Sequence, residues 1–277
     1  MSYIPTTHDI VLCHGLMGFG SVGPLDYFKG VADDLKRLGC TVFVPEVSMV
    51  DDIKTRAGQL HTQINSYLSH RYGSAKDRSV HLICHSMGGL DARRLVHKDP
   101  KPEYNVLSIT TVSTPHRGSP ISAWSESLNF FAKITAAPLL AIVHQCAPAL
   151  KDLRPENMKV FNRTYPDVAG IKYFSVAAKF DPWRTHVYRL SHAFISDFSK
   201  DPMNRDAFGP NDGMVSVSSA KWGEFLDFVR QDTSHFGVLG WELMPGGLGG
   251  ANSDFDAKRL YRQLVDNVAR KVEGKAE

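Results

Sequence analysis

The stretch "HLICHSMGGLD", His81–Asp91, decides how the rest of the chain is read. An apolar run leads into a serine, and a glycine pair then opens a helical pattern. A reactive serine held on a sharp strand-to-helix turn is usually written G-x-S-x-G, because strand and helix crowd the positions two before and two after it. Around Ser86 the frame is Cys84-His85-Ser86-Met87-Gly88. Gly88 and Gly89 meet the demand on the helix side. Cys84 replaces the first glycine and is larger, yet still small and apolar. The competing reading is an ordinary helix N-cap, a place serine favours. The fully apolar strand before Ser86, and His85 beside it, favour the turn that lifts a hydroxyl out of the fold.

Working outward, short β-rich runs alternate with helical patterns. "DIVLCHG" (Asp9–Gly15) reads as a strand ending in a glycine loop, and Tyr27–Leu38 as a helix closed by Gly39. "CTVFVPEV" (Cys40–Val47) is the next strand, Thr55–Tyr72 a long amphipathic helix, and Ser79–Ser86 a third strand. A helix over Gly88–His97 and strands over Val106–Thr114 and Ile171–Ala178 follow. This alternation predicts a mostly parallel sheet with helices on both faces, in a single domain spanning 1–277. Such sheets carry their chemistry at the carboxyl ends of the strands. The positions to read are therefore His14-Gly15, Ser86, Thr114-Pro115-His116 and the residues after Ala178. About sixty residues separate the fourth and fifth strands, and Ala123–Leu150 within them is markedly apolar. Trp124, Leu128, Phe131 and Ile134 there fall at helical spacing. The segment is either an extra core helix or a mobile lid over an apolar site, the insertion running over 119–157.

Composition narrows the function. A net charge of +3 with no dense Lys/Arg run gives no electrostatic groove for nucleic acid. The basic stretch Lys258–Lys275 also holds Asp266 and Glu273, and reads as the solvated face of a helix. The four cysteines, Cys13, Cys40, Cys84 and Cys146, have neither metal-ligand nor disulfide spacing. The N-terminal residues lack the basic and apolar regions of a secretory signal, and no apolar run reaches the ~20 residues of a membrane span. A soluble cytoplasmic protein with no cofactor is the expectation.

A nucleophilic serine needs a base, an acid to orient that base, and amide donors for the developing oxyanion. The residue after the serine, Met87, supplies one amide. "HGLMG" (His14–Gly18) lies where the second loop should be, with Leu16 as its donor, although a plain glycine turn reads equally there. Gly18, Gly20 and Gly23 also spell a dinucleotide fingerprint, with Glu46 after the next strand. The pattern starts several residues after the strand, however, and Pro24 follows it. His235, the last of the twelve histidines, is the candidate base. Asp181, Asp197, Asp201, Asp206 and Asp212 all lie between it and the serine. Asp212, in the turn "GPNDGMVSV", leads directly into a β-like run. Ordinary turn chemistry accounts for "NDG" as well, and a surface loop for His235.

The motifs "IVLCHGLMGF", "DYFKGVADDLKRLGCTVFVPEVS", "HLICHSMGGLDAR", "STPHRGSP", "FNRTYPD", "YFSVAA", "PNDGMVSVSSAKWGEF" and "SHFG" recur in order through nearly the whole chain. In them the chain resembles the pseudomonad-type bacterial triacylglycerol lipases, and still more their intracellular fungal counterparts. The resemblance implies an α/β-hydrolase that cleaves carboxylic esters of lipids through an acyl-enzyme. Ser86 would be its nucleophile, Asp212 its acid and His235 its base, with Leu16 and Met87 amides as oxyanion donors. Met17, Trp124, Leu128 and Phe131 would meet the substrate, and the apolar insertion would be a lid that touches lipid surfaces transiently. Where the bacterial enzymes carry a calcium-binding aspartate two residues after the catalytic histidine, this chain has Gly237; no metal is therefore expected. The alternatives are a short-chain carboxylesterase with an open site and a non-catalytic interaction protein on the same scaffold.

Overall fold

The computed structural model describes residues 3–16, 27–28, 30–123, 146–180, 189–198, 209–229, 232–241 and 255–276. The expectations for Met17, the glycine pattern at 18–23, Trp124, Leu128, Phe131, Asp181, Asp201 and Asp206 lie outside these residues.

Six parallel strands form one sheet in the order β2-β1-β3-β4-β5-β6. They are β1 (Asp9–Cys13), β2 (Val42–Phe43), β3 (Ser79–His85), β4 (Asn105–Val112), β5 (Lys172–Val176) and β6 (Glu224–Phe225). The connections carry helices α1 (Val31–Arg37), α2 (Ile53–Tyr72) and α3 (Gly88–Leu95). After β4 come α4 (Ala147–Asp152) and α5 (Pro155–Thr164). Then follow α6 (Arg189–Phe198), the short α7 (Val217–Ala220) and the C-terminal α8 (Ala257–Lys271).

Period-2 side-chain alternation splits the core into two layers. Ile10 and Leu12 of β1, Ile83 of β3, Val112 of β4 and Val176 of β5 face one side, where α1 and α8 cover them with Val31, Leu35, Leu260, Leu264 and Val268. Val11, Cys13, Leu82, Cys84 and Ile109 face the other, under Leu60, Ile64 and Leu68 of α2 and Ala92 and Leu95 of α3. The cysteines at 13 and 84 are free thiols packed as small hydrophobes.

Several elements end where local chemistry stops them. Asp52 caps α2, its carboxylate accepting the Thr55 amide at 2.7 Å, so the helix starts two residues before Thr55. Gly73 in the left-handed region closes it. The run from Cys40 to Val47 keeps only Val42–Phe43 in the ladder, since Pro45 offers no N–H. β3 and β4 both stop at a serine with positive φ, 53° at Ser86 and 51° at Ser113. This pair of breaks turns the chain out of the sheet along its carboxyl edge, where the site is built.

Candidate active site

Ser86 sits in the left-handed region, a conformation rare for a residue with a side chain and found mainly where surrounding structure enforces it. Its amide donates to the Val112 carbonyl at 2.9 Å, continuing the sheet by one bond. Its carbonyl accepts the Thr114 hydroxyl at 2.7 Å and the Gly89 amide at 3.1 Å. The N-cap of α3 is Met87, in helical geometry, so Ser86 is not an ordinary capping serine. Crowding explains the glycines around it. A Cβ at Gly88 would lie 2.7 Å from the Cys13 carbonyl oxygen, and one at Gly15 would lie 2.6 Å from the Ser86 Cβ. Backbone therefore passes directly against the serine from the β1 side. At position 84 the side chain points into the α2–α3 layer of the core, and that layer has room for a thiol.

His235 lies in the segment after β6. Its Nε2 is 3.0 Å from Ser86 Oγ and its Nδ1 is 2.8 Å from Asp212 Oδ2. Both Asp212 and His235 are almost wholly buried, while Ser86 is half-buried. Asp212 is held in its turn by its own backbone. Oδ1 accepts the Met214 amide at 3.0 Å and the Val215 amide at 2.7 Å, and the Asp212 carbonyl accepts the His235 amide at 2.9 Å. The turn is closed by a bridge between Asn211 and Ser216. Since Oδ1 is occupied by amides, Oδ2 is free for the imidazole. A carboxylate accepts only, so Nδ1 carries the proton and the bare Nε2 lone pair faces the serine hydroxyl. The arrangement can take a proton from Oγ and steady the imidazolium that results.

Leu16 and Met87, the residues whose amides would serve an oxyanion, flank the serine from two sides: Met87 follows it in sequence, and Leu16 borders the pocket at Ser86 and His235. That pocket is apolar at Pro115, Ile121, Leu150, Leu153 and Phe236.

Three buried polar clusters that the sequence reading did not find hold the surrounding loops. Arg56, fully buried on α2, pairs with Asp91 of α3 at 2.8 Å and donates to the His14 carbonyl at 2.8 Å and to the Ser48 carbonyl. Burial pushes the Asp91 carboxyl up to about 6, with Arg56 pulling the other way. His14 is held down to about 4, chiefly by burial and then by Arg56. In the second cluster, Arg93 donates to Asn162 at 2.8 Å and to the Tyr165 carbonyl at 2.8 Å, and its guanidinium lies 3.7 Å over the Trp222 ring. Asn162 in turn donates to the His116 carbonyl at 2.8 Å, fixing the loop after β4. The third joins His85 to Tyr27. No sequence signal marks these contacts beyond the presence of the polar residues themselves.

The resemblance would put a calcium ligand at position 237. Gly237 brings no side-chain ligand, and a Cβ built on it would lie 2.2 Å from Thr233 Oγ1, so a side chain there would have to displace that hydroxyl. Among the described residues no group of three His, Cys, Asp or Glu is placed to hold a metal ion.

Comparison with known proteins agrees with this architecture. A family model described as a PGAP1-like alpha/beta domain matches residues 48–159. Triacylglycerol lipase 2 of Saccharomyces cerevisiae is 29% identical over 98% of this chain and 94% of its own. A triacylglycerol lipase of Vibrio cholerae is 29% identical over 96% of this chain and 89% of its own. The crystal structure of Staphylococcus hyicus lipase superimposes with a TM-score of 0.72 at 17% identity, covering 100% of both chains. From the parallel sheet, the serine turn at its carboxyl edge and these full-length similarities, the chain has the α/β-hydrolase fold and is a carboxylic ester hydrolase similar to triacylglycerol lipases.

Proposed function

We propose that the protein hydrolyses lipid esters of the triacylglycerol type through an acyl-enzyme on Ser86. His235 Nε2 takes the Oγ proton as the oxygen attacks the acyl carbonyl. The oxyanion of the tetrahedral intermediate is met by the Leu16 and Met87 amides. Collapse expels the alcohol, which leaves with the proton from His235. Water then repeats the sequence and frees the fatty acid. Asp212 fixes the Nδ1–H tautomer and offsets the imidazolium charge throughout. The observation that supports this reading is the continuous hydrogen-bonded line from Asp212 through His235 to Ser86, ending on a hydroxyl that strained backbone holds out at the sheet edge.

The lipid substrate class follows from the full-length relatives and from the apolar pocket wall. In the same reading the 119–157 insertion is the lid, with Trp124, Leu128, Phe131 and Met17 against the acyl chain. Ile121 before the apolar stretch, Leu150 at its end and Leu153 after it border the pocket with Ser86. Four free, buried cysteines suit the reducing cytoplasm. No helix among the described residues is long and apolar enough to cross a membrane, so lipid contact would be peripheral.

The test is a hydrolysis series over acyl length, each ester assayed below and above its solubility limit. The lipid reading predicts a preference for long chains and a rise in rate once emulsion forms. Best activity on short soluble esters, with no response to the interface, would favour the open-site carboxylesterase instead.

A further inference from the structure

We propose that His85 and Tyr27 form a positioning relay that ties the backbone of the catalytic histidine to the backbone of the oxyanion loop. The inference rests on the Ser86–His235–Asp212 reading above and adds two residues to it. His85 precedes Ser86 in the chain and is fully buried. Its Nε2 lies 2.9 Å from the His235 carbonyl oxygen and its Nδ1 lies 2.8 Å from the Tyr27 hydroxyl. That hydroxyl accepts the Gly15 amide at 3.1 Å, immediately before Leu16. Tyr27 is also anchored through its own carbonyl, which accepts the Trp241 indole N–H at 2.8 Å from the far side of the His235 loop.

Donor and acceptor chemistry gives every proton one place. A carbonyl only accepts, so His85 Nε2 carries hydrogen. In the neutral ring Nδ1 is then bare and accepts from Tyr27 O–H, leaving a phenol lone pair for the Gly15 N–H. The run is therefore unidirectional: Gly15 N–H to Tyr27 oxygen, Tyr27 O–H to His85 Nδ1, His85 Nε2–H to His235 C=O. Aligned chains of this kind strengthen one another in a low-dielectric interior. Protonating His85 would break the alignment, because Nδ1 would then carry a hydrogen toward the phenol. Burial, with His235 adding to it, holds His85 well below the usual histidine range, so the ring stays neutral. That neutrality matters because the two imidazoles are 4.7 Å apart, and a charged His85 would oppose the imidazolium that forms on His235.

A core filler would explain none of this. The neighbouring Phe236 and Phe28 show that apolar rings pack well here, and a buried imidazole and phenol cost desolvation unless their bonds are used. The three segments joined are those whose relative placement sets proton transfer and oxyanion binding: the serine turn, the His235 loop and the Gly15–Leu16 loop. Loosening them by a fraction of an ångström lowers turnover more than it lowers substrate binding.

The test compares wild type with His85→Leu, His85→Gln and Tyr27→Phe on p-nitrophenyl butyrate. Active sites are titrated with a fluorophosphonate so that turnover is counted per competent site and a misfolded fraction drops out. Leu removes the donor and the acceptor, and kcat should fall about tenfold or more with KM within about twofold. Gln offers an N–H donor and a carbonyl acceptor in similar places and should recover most of that loss. Tyr27→Phe deletes one oxygen from a ring that still fills its site, and should lower kcat by about three- to tenfold. If His85→Leu yields no titratable sites, Tyr27→Phe decides alone. Unchanged kcat per site in His85→Leu or Tyr27→Phe, or a Gln variant no better than Leu, would overturn the relay while leaving the triad reading intact. A wild type that hydrolyses ester but takes no label on Ser86 would overturn the triad reading and the relay with it.

Discussion

Asp212 holds His235 twice. Its Oδ2 lies 2.8 Å from the imidazole Nδ1, and its backbone carbonyl accepts the His235 amide at 2.9 Å. Ring and main chain are thus referenced to one rigid turn. Asp212→Asn separates the two roles. The amide oxygen takes over the Met214 and Val215 amides, which puts the NH₂ group opposite Nδ1. His235 must then accept there and carry its proton on Nε2, facing the serine with no lone pair. Turnover should fall on the order of 10⁴-fold with little change in melting temperature. A modest loss of activity, with the fold unchanged, would mean that another carboxylate serves.

Gly88 is where helix α3 meets the backbone leaving β1. A Cβ there would come within 2.7 Å of the Cys13 carbonyl oxygen and 2.8 Å of the His14 carbonyl oxygen. Neither atom can move without shifting the strand end that leads to Gly15 and Leu16. Gly88→Ala should cost about 1–3 kcal/mol of stability and lower kcat by displacing the serine turn against the oxyanion loop. Urea midpoints and initial rates measure both. Wild-type values for each would show that the close approach is slack.

Four buried histidines set the response to acid. Folding holds His14 and His81 at about 4, mainly through burial, and His85 and His116 well below 6.5 for the same first reason. Below pH 6.5 the unfolded chain takes up protons that the folded chain refuses. Stability present above that pH is therefore lost as pH falls toward 4, by about 1.4 kcal/mol per unit for each histidine involved. Asp91, raised to about 6, runs the other way, gaining stability as it is protonated below pH 6. Asp152 is raised in the same way, while Asp34, Asp52 and Glu273 are lowered and lose stability in acid, so with four buried imidazoles the balance is a net loss. Urea midpoints should drop steadily from pH 6.5 to 4.5, and a flat or rising midpoint would contradict the burial of these rings.

If the 119–157 insertion is a lid, shortening its apolar part should separate two activities. Replacing residues 126–143 with a short Gly/Ser linker should reduce hydrolysis of emulsified long-chain ester by about tenfold or more, while soluble butyrate ester is cleaved at a similar or higher rate. Parallel loss on both substrates would assign the segment to the core.

The layered sheet was legible because its signals are local: apolar runs of strand length, helical spacing, and glycines after strands. The limits of each strand were less so. Pro45 cut the second strand to two residues, and β6, only Glu224–Phe225, is too short to carry a strand pattern of its own. Ser86 and the pair after it stood out because a serine between an apolar strand and two glycines is unusual. Sequence order alone left five aspartates open, since only the turn geometry that points Oδ2 at Nδ1 tells Asp212 from the rest. The polar clusters were not legible at all. Arg56 meets Asp91 across 35 positions, and His85 meets the His235 carbonyl across 150. Only folding brings such partners together, and each residue alone reads as an ordinary helix or strand member.

The most direct measurement is covalent labelling of the intact protein with a fluorophosphonate, mapped by peptide mass spectrometry, alongside ester hydrolysis by wild type and Ser86→Ala. The account predicts one adduct per chain, on Ser86, and a Ser86→Ala protein that folds normally, takes no label and loses at least about 10⁴-fold in kcat. An adduct on a different residue, or hydrolysis that survives in Ser86→Ala, would contradict it.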